Sequence, residues 1–265
     1  QALFGKMREL SRRVAEAYIA QRDDMGYPWL KTEQAELELE PVALPAIDTK
    51  HADFLLEIGT EELPVADLND ALEQLEQSFT KRLADARLSY NRLEVLGTPR
   101  RLSVLIKDLQ TAQEDRKVEL KGPPADRAFD AEGKATKVAE GFARGKGVDV
   151  SALEVKDFDN GRYVVVSMEE KGKSAMEILA EQLPEICAGI HFVKSMRWNQ
   201  SKVAFSRPVR WLVALLGDHV VPFSFAGLQS GRLTRGMRFS AEAVCSLKSP
   251  ADYLPYLDRE GIVLD

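Results

Sequence analysis

The chain has 265 residues, of which 45% are hydrophobic and 29% charged, and a formal net charge of −6. That length supports one large domain or two smaller ones with real cores, in the composition of an ordinary soluble globular protein. The acidic balance excludes a global attraction to nucleic acid, Cys187 and Cys245 make neither a disulfide framework nor zinc spacing, and no apolar run approaches the roughly 20 residues of a membrane span.

The first segment, Leu3–Gln21, places Leu3, Met7, Leu10, Val14, Ala17 and Tyr18 three or four apart, which predicts an amphipathic helix ended by Gly26-Tyr27-Pro28. The start lacks an initiator Met and a signal pattern, so the chain reads as a piece of a longer, intracellular protein. Residues 32–52 are rich in Glu, Ala and Pro without periodicity and read as a linker. A short strand, Phe54–Ile58, leads through Gly59-Thr60-Glu61-Glu62-Leu63-Pro64 into a helix whose stripe is Leu68, Ala71, Leu72, Leu75, Phe79, Leu83 and Ala86. Leu93–Leu96 and Arg101–Leu109 read as strands joined by Gly97-Thr98-Pro99-Arg100, and Lys121-Gly122-Pro123-Pro124 closes this unit. Ala135–Gly145 reads as a short helix with Val138, Ala139 and Phe142 inward. Arg162–Met168 is a strand, and Ser174–Ala188 is a helix with a capping signal and an internal Pro184. Leu212–Leu216 and Val220–Phe225 flank a turn at Gly217-Asp218. From Ala251 another helix and strand begin.

The expected fold class is α+β: two mixed α/β-sheet units preceded by a lone amphipathic helix and a linker. The expected division is 1–31 helix, 32–52 linker, 53–110 first α+β unit, 111–245 second α+β module, and 246–265 the start of a next element, with a return to the first unit as the alternative.

Few residues carry the signature of chemistry. His51, His191 and His219 are far apart in unlike contexts, so no metal site is expected. Gly141-Phe142-Ala143-Arg144-Gly145-Lys146-Gly147 follows a helix, so its glycines read as a helix stop and not as a phosphate cradle. Glu57, inside an apolar strand, needs a partner if buried, and Arg100 or Arg101 from the neighbouring turn is the candidate, giving a structural lock of Glu57, Arg100 and Arg101. The strongest signal is charge segregation. Between Ile186 and Ala241 the only carboxylate is Asp218, against Lys194, Arg197, Lys202, Arg207, Arg210, Arg232, Arg235 and Arg238. Arg197-Trp198 and Arg210-Trp211 suit a surface where guanidinium meets phosphate and a ring stacks on a base. They suit equally two core tryptophans with arginines paired to carboxylates, and charge alone leaves both readings open.

Six ordered blocks carry a resemblance: FLLEIGTEELP (Phe54–Pro64), GTPRRL (Gly97–Leu102), Lys121-Gly122-Pro123, Glu140-Gly141-Phe142-Ala143, KSMRW (Lys194–Trp198) and FSRPVRW (Phe205–Trp211). Together they resemble the start of the bacterial-type glycyl-tRNA synthetase beta subunit, from about Asp53 onward. Gln1–Leu30 resembles the C-terminal helix of that enzyme's alpha subunit, so the chain looks like an internal fragment of a fused alpha–beta form. The resemblance implies a non-catalytic, tRNA-positioning and scaffolding part of a glycine–tRNA ligase, inactive alone, with a module similar to the editing-type domain of the phenylalanyl enzyme. A purely structural alpha–beta connecting module without RNA contact is the alternative. It implies no cofactor in this fragment, and ATP with magnesium in the parent enzyme. The implied partners are tRNA-Gly, the catalytic alpha part and the downstream beta domains, in a dimeric parent with no membrane association. The implied location is cytoplasmic, or organellar for a plant-type fused enzyme. Lys194, Arg197, Arg207, Arg210, Arg235 and Arg238 are the RNA-facing candidates, with the Arg232-Leu233-Thr234-Arg235 arm an equal contender. The family often reads Gly-His-Arg-Phe where this chain has Gly236-Met237-Arg238-Phe239. The missing His takes away a titratable group, and hydrolytic editing is not expected.

Overall fold

The structure, a computed structural model, describes residues 2–26, 44–130, 133–158, 161–238 and 244–264. Its helices are α1 (Ala2–Asp24), α2 (Val65–Asp85), α3 (Ala125–Ala128), α4 (Lys137–Lys146), α5 (Ala175–Ala188) and α6 (Tyr253–Arg259). Its strands are β1 (His51–Thr60), β2 (Arg92–Thr98), β3 (Arg101–Gln110), β4 (Arg116–Pro124), β5 (Leu153–Phe158), β6 (Gly161–Glu170), β7 (Val209–Leu216), β8 (His219–Val220), β9 (Ser224–Phe225), β10 (Leu228–Gly231), β11 (Leu233–Arg235) and β12 (Val244–Ser246). The chain forms two compact units, residues 1–42 and 43–265. In the first, α1 follows the predicted helix closely. Its stripe of Leu3, Met7, Leu10, Val14 and Tyr18 is exposed.

The second unit is built on a seven-stranded sheet of order β2-β3-β1-β7-β10-β9, with β8 paired to β7. β1 lies between β3 and β7, antiparallel to both. Successive side chains of a strand point to opposite faces, and both faces of β1 are covered, which is why Phe54–Ile58 is an almost unbroken apolar run. Phe54, Leu56 and Ile58 join a core under α2 and α5. Leu55 faces the other way, with Leu105, Val213 and Leu215, under Tyr253, Tyr256 and Leu257 of α6. α2 buries Leu68, Ala71, Leu75, Phe79 and Leu83 as its spacing requires; each large apolar side chain so buried stabilises by about 1.5–3 kcal/mol.

A separate three-stranded sheet, β4-β6-β5, carries α3 and α4 over Ala128, Ala139 and Val164. α5 opens with a full capping box, in which Ser174 accepts from the Glu177 amide and Glu177 accepts from the Ser174 amide. Ser174→Ala breaks the hydroxyl half of that exchange, and a loss of about 1 kcal/mol in urea unfolding is expected. The helix continues through Pro184.

Several expectations are corrected. His51 and Ala52, assigned to the linker, already belong to β1; residues 27–43 lie outside the described residues. Lys121–Pro124 is the end of β4, where the ladder to β6 shifts register, and not a closing loop. In α4 Ala139 is buried and Phe142 packs half-buried on the small core as expected, but Val138 is 47% exposed and Ala143 takes the remaining inward position. Gly141 and Gly145 lie inside α4 and do not follow a helix; only Gly147, at φ 69°, stops it, capping the helix in the left-handed conformation. The sheets do not divide at 110/111. β7 pairs with β1, and only residues 116–170 form the smaller sheet. The tail returns to the larger sheet because the face carrying Leu55, Leu105 and Val213 needs a cover, and α6 supplies it. Residues 262–264 form no strand.

Candidate functional site

Three turns meet at one end of the large sheet. The Thr60 amide donates to the Arg100 carbonyl at 2.9 Å, the Glu61 amide to Pro208 at 2.9 Å, and the Leu63 amide to Pro99 at 2.6 Å. The GTEELP, GTPRR and FSRPVRW segments are therefore one structural feature.

Beneath them lies a buried polar knot. Gly59 pairs with Arg101 on one side and Trp211 on the other. The Trp211 ring lies over the Gly59 backbone, and a β-carbon built on Gly59 would fall inside that ring. Over the space so left, Arg101 reaches Glu57, Nη1 to Oε1 at 3.2 Å, with Arg101 2% and Glu57 0% exposed. Arg101 Nη2 also donates to the Arg235 carbonyl at 2.8 Å. The guanidiniums of Arg101 and Arg235 stand 5.9 and 5.4 Å from the Trp211 ring centroid, within cation–π range. The Ser103 and Tyr253 hydroxyls share a 2.6 Å hydrogen bond alongside.

Burial pushes the Glu57 pKa up, opposed by the Arg101 charge and by the hydrogen-bonding groups of Thr234, Trp211 and Tyr253. None of those three closes a bond to Oε2 within hydrogen-bond geometry. Burial and the neighbouring Glu57 charge hold the Tyr253 phenol well above its usual range. A raised carboxylate often marks a reactive acid. Here the group is sealed in the core, and a substrate cannot reach it. Arg100, the other expected member of the lock, makes no ion pair among the described residues. Burial, then the like charge of Arg238, lowers its pKa.

The six RNA-facing candidates fall into distinct settings. At the sheet end, Arg210 and Arg238 both pair with Glu61, Arg210 Nε at 3.3 Å; both are about half exposed, so each pair contributes under about 1 kcal/mol. Arg235 is exposed and stacks on Trp211. Arg207 is half buried and donates to its neighbour Ser206's carbonyl at 2.8 Å. Lys194 and Arg197 lie instead on the 191–205 loop. That loop is pinned to α2 by reciprocal Gln74–His191 hydrogen bonds of 3.0 and 2.8 Å. The Met196–Phe205 bridge closes it, Asn199 tethers it to the Ala226 carbonyl at 2.8 Å, and Trp198 packs on the core. Lys194, Arg197 and Lys202 project from this anchored loop, exposed and without a carboxylate partner among the described residues. The Arg232–Arg235 arm consists of Arg232 and β11, which pairs with β12. Arg232 clamps the Asp218 and Leu247 carbonyls, and Thr234 is buried, so two of its four residues are structural.

Sequence reasoning missed Ser103, Thr234 and Tyr253 in the knot and the stacking of Trp211 on Gly59. One signal was available: Glu57 and Ser103 are the polar residues in two apolar strands, and pairing puts them opposite one another.

Residues 54–265 match the family model described as glycyl-tRNA synthetase beta subunit. The glycine–tRNA ligase beta subunit of Trichlorobacter lovleyi is 47% identical over 213 residues, 80% of this chain and 31% of the relative. That of Geobacter metallireducens is 44% identical over the same shares. The chloroplastic/mitochondrial glycine–tRNA ligase 2 of Arabidopsis thaliana is 41% identical over 267 residues, 99% of this chain and 25% of the relative. These relatives are aminoacyl-tRNA synthetase components, and this chain spans a quarter to a third of their length. The chain belongs to the glycyl-tRNA synthetase beta-subunit family. The Arabidopsis match also takes in the α1 segment that precedes the family model. Among the described residues, no helix is long and apolar enough to cross a membrane.

Proposed function

We propose that this chain is a non-catalytic, tRNA-positioning and scaffolding part of a glycine–tRNA ligase. Its tRNA contact is the 191–205 loop. Adenylation of glycine with ATP and magnesium, and transfer to tRNA-Gly, belong to other parts of the longer enzyme, which this body joins to the catalytic alpha part. The observation that carries the RNA contact is the loop itself, where three exposed cations on a tethered scaffold have no carboxylate partner among the described residues. An unneutralised cation held in place gains most from a phosphate, because little ordering entropy is lost on binding. The sealed position of Glu57, Ser103 and Tyr253 supports a non-catalytic role.

A second reading, a purely structural connecting module, draws support from the sheet end. There Arg210 and Arg238 already share Glu61, and Trp211 is buried. Binding of tRNA-Gly to the isolated chain across a salt series separates the two. The first reading expects log affinity to fall linearly with log salt, by roughly 0.7–0.9 per phosphate contacted; no measurable binding at low salt leaves the second.

A further inference from the structure

The 191–205 loop carries a turn whose geometry is set by one side chain. Asn199 Nδ2 donates to the Ala226 carbonyl at 2.8 Å, which fastens the turn to the β9–β10 connection. Its Oδ1 accepts from the Ser201 amide at 3.2 Å and from the Ser201 hydroxyl at 2.6 Å. That hydroxyl in turn accepts from the Val203 amide at 3.3 Å, and the Asn199 carbonyl receives the Lys202 amide at 3.4 Å. These bonds hold Lys202 at φ 57°, a left-handed conformation that a residue with a β-carbon keeps only when its surroundings impose it. Held so, the Lys202 carbonyl accepts from Arg197 Nε at 3.0 Å. Arg197 is exposed, and an exposed arginine ordinarily gives up its rotamer freedom only on binding. Here its Nε is fixed beforehand.

With Nε committed, the edge left to meet an acceptor is the end of the guanidinium, Nη1 and Nη2. Its two parallel N–H groups match a pair of acceptors on one planar or tetrahedral group. Two parts of an RNA offer such a pair: the free oxygens of a backbone phosphate, and the O6 and N7 atoms of guanine. The rest of the loop selects the phosphate. Lys194 and Lys202 add charge that a neutral base does not use. The loop's rings, Phe192, Trp198 and Phe205, pack on the core and are not offered for stacking.

We propose that Arg197 holds a single backbone phosphate of the bound RNA, and that Asn199 is the positioning residue of that contact, acting through the Lys202 carbonyl. This anchor presupposes the tRNA contact described above; charge alone does not choose it among the three cations.

The test measures tRNA-Gly binding by the whole chain across a salt series, in wild type, Arg197→Gln, Asn199→Ala and the double variant. Arg197→Gln is expected to make the slope of log affinity against log salt shallower by about 0.7–0.9, the share of one phosphate. Arg197→Lys should keep the slope and lose affinity, because an ammonium carries the charge without the fork. Asn199→Ala changes no charge, and by releasing the ordered guanidinium it is expected to weaken binding about fivefold. In the Arg197→Gln background the same change should weaken binding less than about twofold, a coupling that a general loosening of the loop would not show. Ser201→Ala, at an exposed position, removes one bond of the turn and should show the same dependence on Arg197, even where Asn199→Ala fails to fold. Equal losses from Asn199→Ala with and without Arg197, or no loss, overturn the role of Asn199. Weaker binding by Arg197→Gln at an unchanged slope overturns the phosphate in favour of a base edge. A wild-type chain that binds no tRNA at low salt overturns the contact itself and this anchor with it, a result distinct from the other two.

Discussion

Arg101→Met is expected to cost about 3–5 kcal/mol of stability at pH 8, measured by urea unfolding, because it leaves Glu57 buried without its one cation. The loss has a defined pH dependence. Glu57 is already held above the ordinary glutamate value of 4.5 by burial, and removing Arg101 takes away the largest opposing influence. A carboxyl whose folded pKa exceeds its unfolded one binds its proton more tightly in the fold. Its contribution to stability is therefore fully present below about pH 4.5 and declines as pH rises through the folded value. The gap between wild type and variant should accordingly widen from pH 4 to pH 8. At pH 4 the carboxyl is neutral in both states, and only the contacts of Arg101 to the Arg235 carbonyl and Trp211 are lost. A gap independent of pH would show that Glu57 carries no uncompensated charge in the variant.

Gly59→Ala is the second large effect, with an expected cost of about 3 kcal/mol or more. Added methyl groups in a packed core typically cost 1–3 kcal/mol. Here the new carbon would meet the Trp211 indole, itself backed by Arg101 and Arg235, with no free space to move into. A double-mutant cycle identifies the cause. Trp211→Leu alone is destabilising, but Gly59→Ala in that background should cost at least about 1 kcal/mol less than in wild type. An additive result would place the cost of the methyl elsewhere.

The sequence revealed elements where hydrophobic period and end signals agreed. α2 announced itself by its 3.6-residue stripe behind Pro64, α5 by Ser174 and Glu177, and β1, β3 and β7 by apolar runs buried on both faces. β4 stayed hidden because its alternation, Val118 and Leu120 among Lys117, Glu119 and Lys121, is half charged and ends in Gly-Pro-Pro. β9 to β12 are two to four residues long, too short for a hydrophobic period to show, and β10 joins the sheet by pairing with β7 well back in the chain. For the same reason the domain division could not be read. Nothing local to Val209–Leu216 states that it lies beside β1.

At the candidate site, Glu57 advertised a need for a cation, and Arg101 supplies it. Its neighbour Arg100 is indistinguishable in sequence but begins no strand, so its side chain stays outside the knot. The eight basic residues looked like one patch because they are close in sequence. The fold separates them into Arg210 and Arg238 sharing Glu61, Arg235 on the Trp211 ring, Arg207 on the Ser206 carbonyl, a carbonyl clamp at Arg232, and the open 191–205 loop. The aromatic half of the basic-aromatic pattern has a packing origin, since Trp211 covers Gly59 and Trp198 rests on the core.

The most direct test of the central claim compares tRNA-Gly binding by the wild-type chain with that of Lys194→Gln/Arg197→Gln/Lys202→Gln, from about 50 to 300 mM salt. If the loop holds the phosphate contacts, the triple variant should bind more weakly at every salt concentration, and its slope of log affinity against log salt should be shallower by about two to three. Its urea unfolding should shift by no more than about 1 kcal/mol, because the three side chains are exposed and the bond lost is that from Arg197 Nε to the Lys202 carbonyl at 3.0 Å. An unchanged slope in the triple variant, or a wild-type chain that does not bind tRNA at 50 mM salt, would contradict the account.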